Sequence, residues 1–226
     1  MKRDLLNSLA NTWKEARYLF MWNLLFLCLS SLLWRFQNQI LGLVLSILFV
    51  ILTGFLIFFF RDPERIIQRD DSAVLSPADG KVIGIDLKAK FPDRDESCQR
   101  LDIFLSVFDV HINRMPLSGR VIQKKTVPGC FYAAFEGKAS ELNEHVYVEL
   151  ETKLGKLGIK QIAGFLARRI VNQAVIGKQI QQGERFGMIK FGSRVELFIP
   201  KDVQLVVDKG KWVRGGITVL GRKCCA

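Results

Sequence analysis

Two long uncharged runs dominate the first sixty residues, and short alternating runs fill the rest of the chain. Residues 18–34 carry no charge and are interrupted by Asn23, Ser30 and Ser31. After the polar link 35–39, a second uncharged run over 40–60 ends in Phe58-Phe59-Phe60 and closes on Arg61-Asp62-Pro63. A membrane-crossing helix needs about 20 apolar residues, with roughly 17 as the lower limit. The pattern therefore predicts a two-helix membrane hairpin over 18–60, preceded by a basic amphipathic segment over 1–17. A secretory signal peptide would have a shorter apolar region followed by a small-residue cleavage site, and neither is present.

A link this short puts both flanks on one side. Lys2, Arg3, Lys14 and Arg17 precede the first run and Arg61, Arg65 and Arg69 follow the second, while the link holds only Arg35. The positive-inside rule then predicts that the flanks, and the domain after them, face the cytoplasm from the cell (inner) membrane. A hairpin that dips into one leaflet is the alternative, and it too anchors the chain.

Beyond residue 70 the texture changes. Apolar runs at 101–107, 146–150, 195–199, 204–207 and 217–220 are separated by turn signals such as Ala78-Asp79-Gly80, Met115-Pro116 and Ser118-Gly119. Such spacing predicts a mainly β (α+β) domain over 61–226. Residues 162–170 fit a strand or a helix equally well.

Charge and cysteine content narrow the partners. The 226-residue chain has a net charge of +11, yet it contains no nucleic-acid-binding module, so no nucleic-acid partner is expected. For a membrane-anchored chain the nearer partner is an anionic bilayer, where each basic residue contributes on the order of 1 kcal/mol. Simple solubility explains the charge equally well. Five cysteines without a CxxC pair and only two histidines argue against a metal site and for a reducing compartment.

Three segments could carry chemistry. Gly192-Ser193 lies between two strand-like runs. A serine hydroxyl can attack the carbonyl before it, moving the acyl group from nitrogen to oxygen. The ester then eliminates to dehydroalanine, and hydrolysis leaves a pyruvoyl group and ammonia. Glycine before the serine tolerates the backbone conformation that the attack requires. Asp79-Gly80 reads first as a turn, with Asp capping its own backbone. His111 could be a hydrogen-bonded strand histidine or a proton carrier near neutral pH. A serine hydrolase is less well supported, because Phe191-Gly192-Ser193-Arg194-Val195 lacks the Gly-x-Ser-x-Gly elbow.

In combination these segments match a family. Phe59-Phe60-Arg61-Asp62-Pro63-Glu64-Arg65, residues 75–82, 107–119, 138–144 and 161–170, and Arg185-Phe186-Gly187-Met188-Ile189-Lys190 running on through Val195 occur in a fixed order. Over roughly residues 58–221 the chain resembles the short-type phosphatidylserine decarboxylases, including their archaetidylserine-acting relatives.

The resemblance implies a self-cleaving enzyme. Ser193 would become a covalent pyruvoyl cofactor heading a small chain, 193–226, with 1–192 as the large partner and Gly192 and Ser193 flanking the cut. The ketone would form a Schiff base with the serine amine of a phospholipid substrate and act as an electron sink for decarboxylation. His111 would handle protons, and Asp79 would support serine activation. The family also implies an oligomer, a homodimer in its simplest form.

The match has one departure. Larger members carry a second histidine three residues on, where this chain has Arg114, which cannot act as a base at neutral pH. The base for Ser193 is therefore His111, or Asp79 acting through water. Arg168 and Arg169 form a basic pair suited to a substrate phosphodiester, or else a solvated face.

A different class fits the tail. The turn spacing of 206–219, with Asp208-Lys209, is similar to that of biotinyl and lipoyl carriers, so the β domain is expected to have a hammerhead or barrel-sandwich-like core. A carrier or adaptor without catalytic activity remains the second reading.

Overall fold

The computed structural model describes residues 2–36, 38–134, 139–165, 169–190 and 192–223, with side chains described from residue 16 onward. The chain divides into two compact units, Met1–Pro63 and Glu64–Ala226.

The first unit is a helical hairpin of α1 (Lys2–Phe36) and α2 (Gln39–Phe59). The segment 1–17 thus continues into the first span as one helix. Ala16–Phe36 and Gln39–Phe59 are each long and apolar enough to cross a bilayer. Two of the polar residues that interrupt the first span, Asn23 and Ser30, face the second helix, while the exposed Ser31 donates to the Leu27 carbonyl of its own helix. Asn23 Nδ2 donates to Thr53 Oγ1 at 2.6 Å, and the Ser30 and Ser46 hydroxyls lie 3.0 Å apart. These pairs run in antiparallel order, and in hydrocarbon such groups must be satisfied inside the protein. Asn38 caps α2 by accepting from the Leu41 N–H, and Gly42 lets the Trp34 backbone come within what would be 2.2 Å of a Cβ.

The second unit is mainly β, as its alternating pattern predicts. Its elements are β1 (Ala73–Leu75), β2 (Gly80–Lys90), β3 (Ser97–Leu105), β4 (Ile112–Arg114), β5 (Gly119–Val127), the short helix α3 (Ala139–Leu142), β6 (His145–Thr152) and β7 (Gly155–Ala163). Then follow β8 (Ile170–Asn172), β9 (Gln179–Ile180), β10 (Arg185–Ile189), β11 (Ser193–Ile199), β12 (Val203–Leu205), β13 (Trp212–Val213) and β14 (Val219–Lys223). Of the ambiguous stretch 162–170, residues 162 and 163 end β7 and residue 170 begins β8, while 166–168 lie outside the described residues.

Eight strands form one sheet in the order β13-β2-β3-β11-β7-β6-β5-β9, and two three-stranded sheets, β4-β10-β8 and β1-β14-β12, complete the unit. Strand β11 is central: Ser193 pairs with Leu105 on one side and with Ala163 on the other. All seven of its residues are buried. Ser193, Val195, Leu197 and Ile199 share the face that joins the main core with Leu101, Ile103, Val148 and Ile159. Alternation sends Arg194, Glu196 and Phe198 to the other face.

That second face is also covered. Phe198 and Tyr147 pack with Phe91, Ala89 and Cys98, while Lys160 donates to the Ser140 carbonyl of α3. Buried charges therefore meet in pairs: Arg194 lies 2.7 Å from Asp102 and 2.9 Å from Glu196, and Arg100 lies 3.0 Å from Asp102. Burial raises the Asp102 pKa against the pull of Arg194, and burial likewise lowers that of Lys160.

Removing one member of a buried ion cluster strands its partners, at a cost of about 3–5 kcal/mol. Arg194→Met is expected to lose stability of that order in chemical denaturation of the detergent-solubilised chain. Adding Glu196→Gln should restore a large part of it. An Arg194→Met chain as stable as wild type would show that the cluster does not hold β11.

Candidate active site

The site forms where three connections meet the N-terminal end of β11. Gly192 adopts φ +66°, a left-handed conformation that favours glycine. A Cβ there would meet nothing within 4 Å, so conformation and not space selects this residue. Gly164, just past β7, is selected by space: its Cβ would stand 2.3 Å from the Gly192 carbonyl oxygen. Asn143 laces the neighbouring loop to the same place, donating to the Ala163 carbonyl at 2.7 Å and to the Tyr132 carbonyl at 2.8 Å.

The next residue, Ser193, is 0% exposed, and among the described residues its Oγ has no hydrogen-bond partner. A buried hydroxyl left without a partner costs free energy, so its presence needs a reason.

His111 is fully buried beside it. Its Nδ1 lies 2.9 Å from the Asp109 carbonyl oxygen, which can only accept, so Nδ1 carries the proton. Its Nε2 accepts the Gly192 N–H at 3.4 Å, on the residue before Ser193. The structure thus brings His111, Gly192 and Ser193 together.

Asp79 is held by partners of its own. Both its oxygens receive the Arg65 guanidinium, at 2.6 and 2.7 Å, and Oδ1 also accepts the Gly215 N–H at 2.7 Å. The expected cap on its own backbone is replaced by this charged fork, which is the stronger partner. Gly80 keeps its expected positive φ, and the space it leaves is taken by the Phe104 carbonyl, 2.1 Å from where a Cβ would be. Arg114 is buried and donates to the Gly183 carbonyl at 3.1 Å.

Arg169 is exposed in the connection between β7 and β8. Arg168 lies outside the described residues, as do Cys224 and Cys225. Three aromatic side chains on the converging loops are also exposed: Phe108 at 68%, Phe165 at 70%, and Tyr132. Among the described residues no group of three or more His, Cys, Asp or Glu side chains could hold a metal ion.

Sequence reasoning missed Arg65 as the partner of Asp79, although its stretch was among the matched ones. It also missed a buried set of amides, Asn113, Gln161 and Asn172, joined by hydrogen bonds of 2.6 and 2.7 Å.

The family profile described as phosphatidylserine decarboxylase matches residues 52–221. The phosphatidylserine decarboxylase proenzyme of Geotalea uraniireducens is 45% identical over 179 residues, covering 79% of this chain and 84% of the relative. That of Carboxydothermus hydrogenoformans is 41% identical over 202 residues, covering 89% and 93%. That of Ehrlichia ruminantium is 36% identical over 218 residues, covering 96% and 92%.

An alanine at position 192 must hold a left-handed backbone that costs about 1–2 kcal/mol, which asparagine tolerates better. If the bond after Gly192 is cut by the chain itself, Gly192→Ala is expected to slow the cut, and Gly192→Asn to slow it less. Time courses of intact mass after expression measure both. Equal rates for alanine and asparagine would remove backbone conformation from the explanation.

Proposed function

The chain belongs to the phosphatidylserine decarboxylase family, and from that premise we propose that Ser193 supplies its catalytic group. The enzyme converts phosphatidylserine to phosphatidylethanolamine. The single observation that carries the assignment is the buried, unpartnered Ser193 hydroxyl next to a left-handed glycine whose N–H is held by the His111 imidazole.

Those residues suit the formation of a pyruvoyl group in place. Ser193 Oγ adds to the Gly192 carbonyl carbon while His111 Nε2 takes the hydroxyl proton, and the peptide C–N bond breaks to free the amine of residue 193. Loss of the Cα proton together with the Gly192 carboxylate leaves dehydroalanine. Water then releases ammonia and leaves a ketone. The chains 1–192 and 193–226 result.

A pyruvoyl group supplies a carbonyl that condenses with the substrate amine and takes up the electron pair left behind by carbon dioxide. The chain's own residues do the rest. The closed packing around Ser193 keeps water away, and His111 returns a proton to the carbon that lost its carboxylate. Asp79, fixed by Arg65, acts as a support for the loop around Gly215 and not as the base. Arg169 is the candidate contact for the phosphodiester, because it is exposed beside the β7 connection.

The membrane reading follows from the same site. A phospholipid headgroup must reach a residue with no exposure, and the apolar rim of Phe108, Tyr132 and Phe165 suits contact with a bilayer. The two apolar helices keep the domain at an anionic membrane, with the domain on its cytoplasmic face. A carrier reading would leave the Ser193 and His111 pair without a role.

Intact mass spectrometry of the purified chain tests the assignment. Wild type should give two chains split between 192 and 193, the smaller one blocked by a pyruvoyl group. Ser193→Ala should stay whole and inactive, and an active alanine variant sinks the mechanism. His111→Ala should slow the cut and the turnover by about 10²–10⁴-fold, the usual weight of a proton-transferring side chain. Normal processing and normal turnover in that variant would exclude His111 from both steps.

A further inference from the structure

A chain of three amides beside Ser193 has its direction fixed by one backbone group. The Ala174 N–H donates to Asn172 Oδ1 at 3.0 Å, and a backbone N–H can only donate. The other end of Asn172 is therefore its NH₂ group, which donates to Gln161 Oε1 at 2.7 Å. Gln161 in turn presents Nε2 and donates to Asn113 Oδ1 at 2.6 Å. What remains free on Asn113 must be the donor, Nδ2. Asn113 is 0% exposed, and Nδ2 finds no acceptor among the described residues. The relay is built in: Gly187 leaves room for it, since a Cβ there would stand 2.9 Å from Gln161 Nε2.

The free donor faces the same part of the sheet as the site. His111 stands directly ahead of β4 and Asn113 is the strand's second residue, so the two flank Ile112. His111 meets Gly192, while Asn113 meets Gln161, which pairs with Val195, two residues beyond Ser193 on its face. Ser193 thus lies on the stretch between the two contacts. A buried donor without an acceptor is costly to keep, and here a substrate oxygen can meet it.

We propose that Asn113 Nδ2 receives one oxygen of the substrate's serine carboxylate and sets the direction in which that group leaves. The proposal rests on the reading that residue 193 binds the lipid amine. The carboxylate and the amine share one carbon, so the carboxylate must lie as deep as Ser193. The phosphodiester carries the acyl chains and lies toward the aromatic rim.

Charge argues the same way. Carbon dioxide departs neutral, so a cation on the carboxylate would stabilise the ground state more than the transition state and slow the reaction. A neutral amide orients the carboxylate with a far smaller penalty. Its orientation matters because the breaking bond must align with the electron-accepting group.

The test uses the full chain in mixed micelles, with phosphatidylserine and phosphatidylethanolamine as probes. Cyanoborohydride fixes each lipid amine to the small chain, and the mass gain is read for wild type, Asn113→Asp and Asn113→Ala. We expect both variants to be cut at 192/193 and to fix phosphatidylethanolamine, which lacks the carboxylate, as wild type does. Fixation and turnover of phosphatidylserine should fall about tenfold to hundredfold, the weight of a hydrogen bond to a charged group, with the aspartate the worse.

Wild-type handling of phosphatidylserine by both variants overturns the proposal, and so does an equal loss of both lipids. If the aspartate chain stays uncut, the alanine chain decides by the same arms; if both stay uncut, the donor serves Ser193's own reaction and the proposal fails. A wild-type chain that fixes neither lipid overturns instead the reading of residue 193.

Discussion

Strand β11 runs between β3 and β7 with every residue buried, and its register decides which chemistry faces which side of the sheet. Side chains alternate along a strand, so a slip of one residue exchanges the two faces. Such a slip would drive Arg194 and Glu196 in among Leu101, Ile103 and Val148, and would turn Ser193 toward Phe198's side of the sheet. Burying unpaired charge in an apolar core is prohibitive. The ion cluster of Arg194, Asp102 and Glu196 on one side and the aliphatic core on the other hold the same register from opposite directions. Ser193 keeps its place next to the glycine that His111 holds because neither side can give way.

This arrangement explains why the site can be dry and still polar. The face that carries Ser193 offers few polar groups, and its imidazole and amides have a defined direction. His111 is oriented by the Asp109 carbonyl, and the amides are oriented through Asn172 by the Ala174 N–H. Main-chain groups of fixed sense thereby set the donors and acceptors that a substrate meets. The strong charges, Arg65 with Asp79 and Arg194 with Asp102, are neutralised one shell away, where they shape loops and strands without competing for the headgroup.

Local physics made some of this legible in the amino-acid order. The two spans follow from uncharged runs of membrane length, and the β unit from short alternating runs. Gly192 and Ser193 could be singled out because their chemistry is intrinsic to adjacent residues. The amide relay could not, since Asn113 and Gln161 are 48 residues apart and meet only when β4 is laid over β7. Arg194 and Glu196 alternate with Val195 and Leu197 like any half-exposed strand, and nothing local reveals that Phe91, Tyr147 and α3 cover that side. Asp79 looked like a self-capping turn because its partner, Arg65, sits fourteen residues upstream and approaches only in the folded chain. The alternation of 162–170 was ambiguous because it runs from the end of one strand, at Ala163, to the start of another, at Ile170.

The segment that begins at Ser193 is threaded through two sheets: β11 and β13 lie in the eight-stranded sheet, and β12 and β14 in a three-stranded one. A cut ahead of it would leave those pairings intact, so the new end would have nowhere to go. On the proposed reading the catalytic group is consequently a part with no spare. It is made once, from the molecule's own backbone, and cannot be lent, diluted away or reloaded. A cell that needs more of this activity must translate and mature new copies, and a copy whose ketone is chemically spoiled is retired for good. Supply is governed by the history of each molecule, where a dissociable cofactor would let it be governed by concentration.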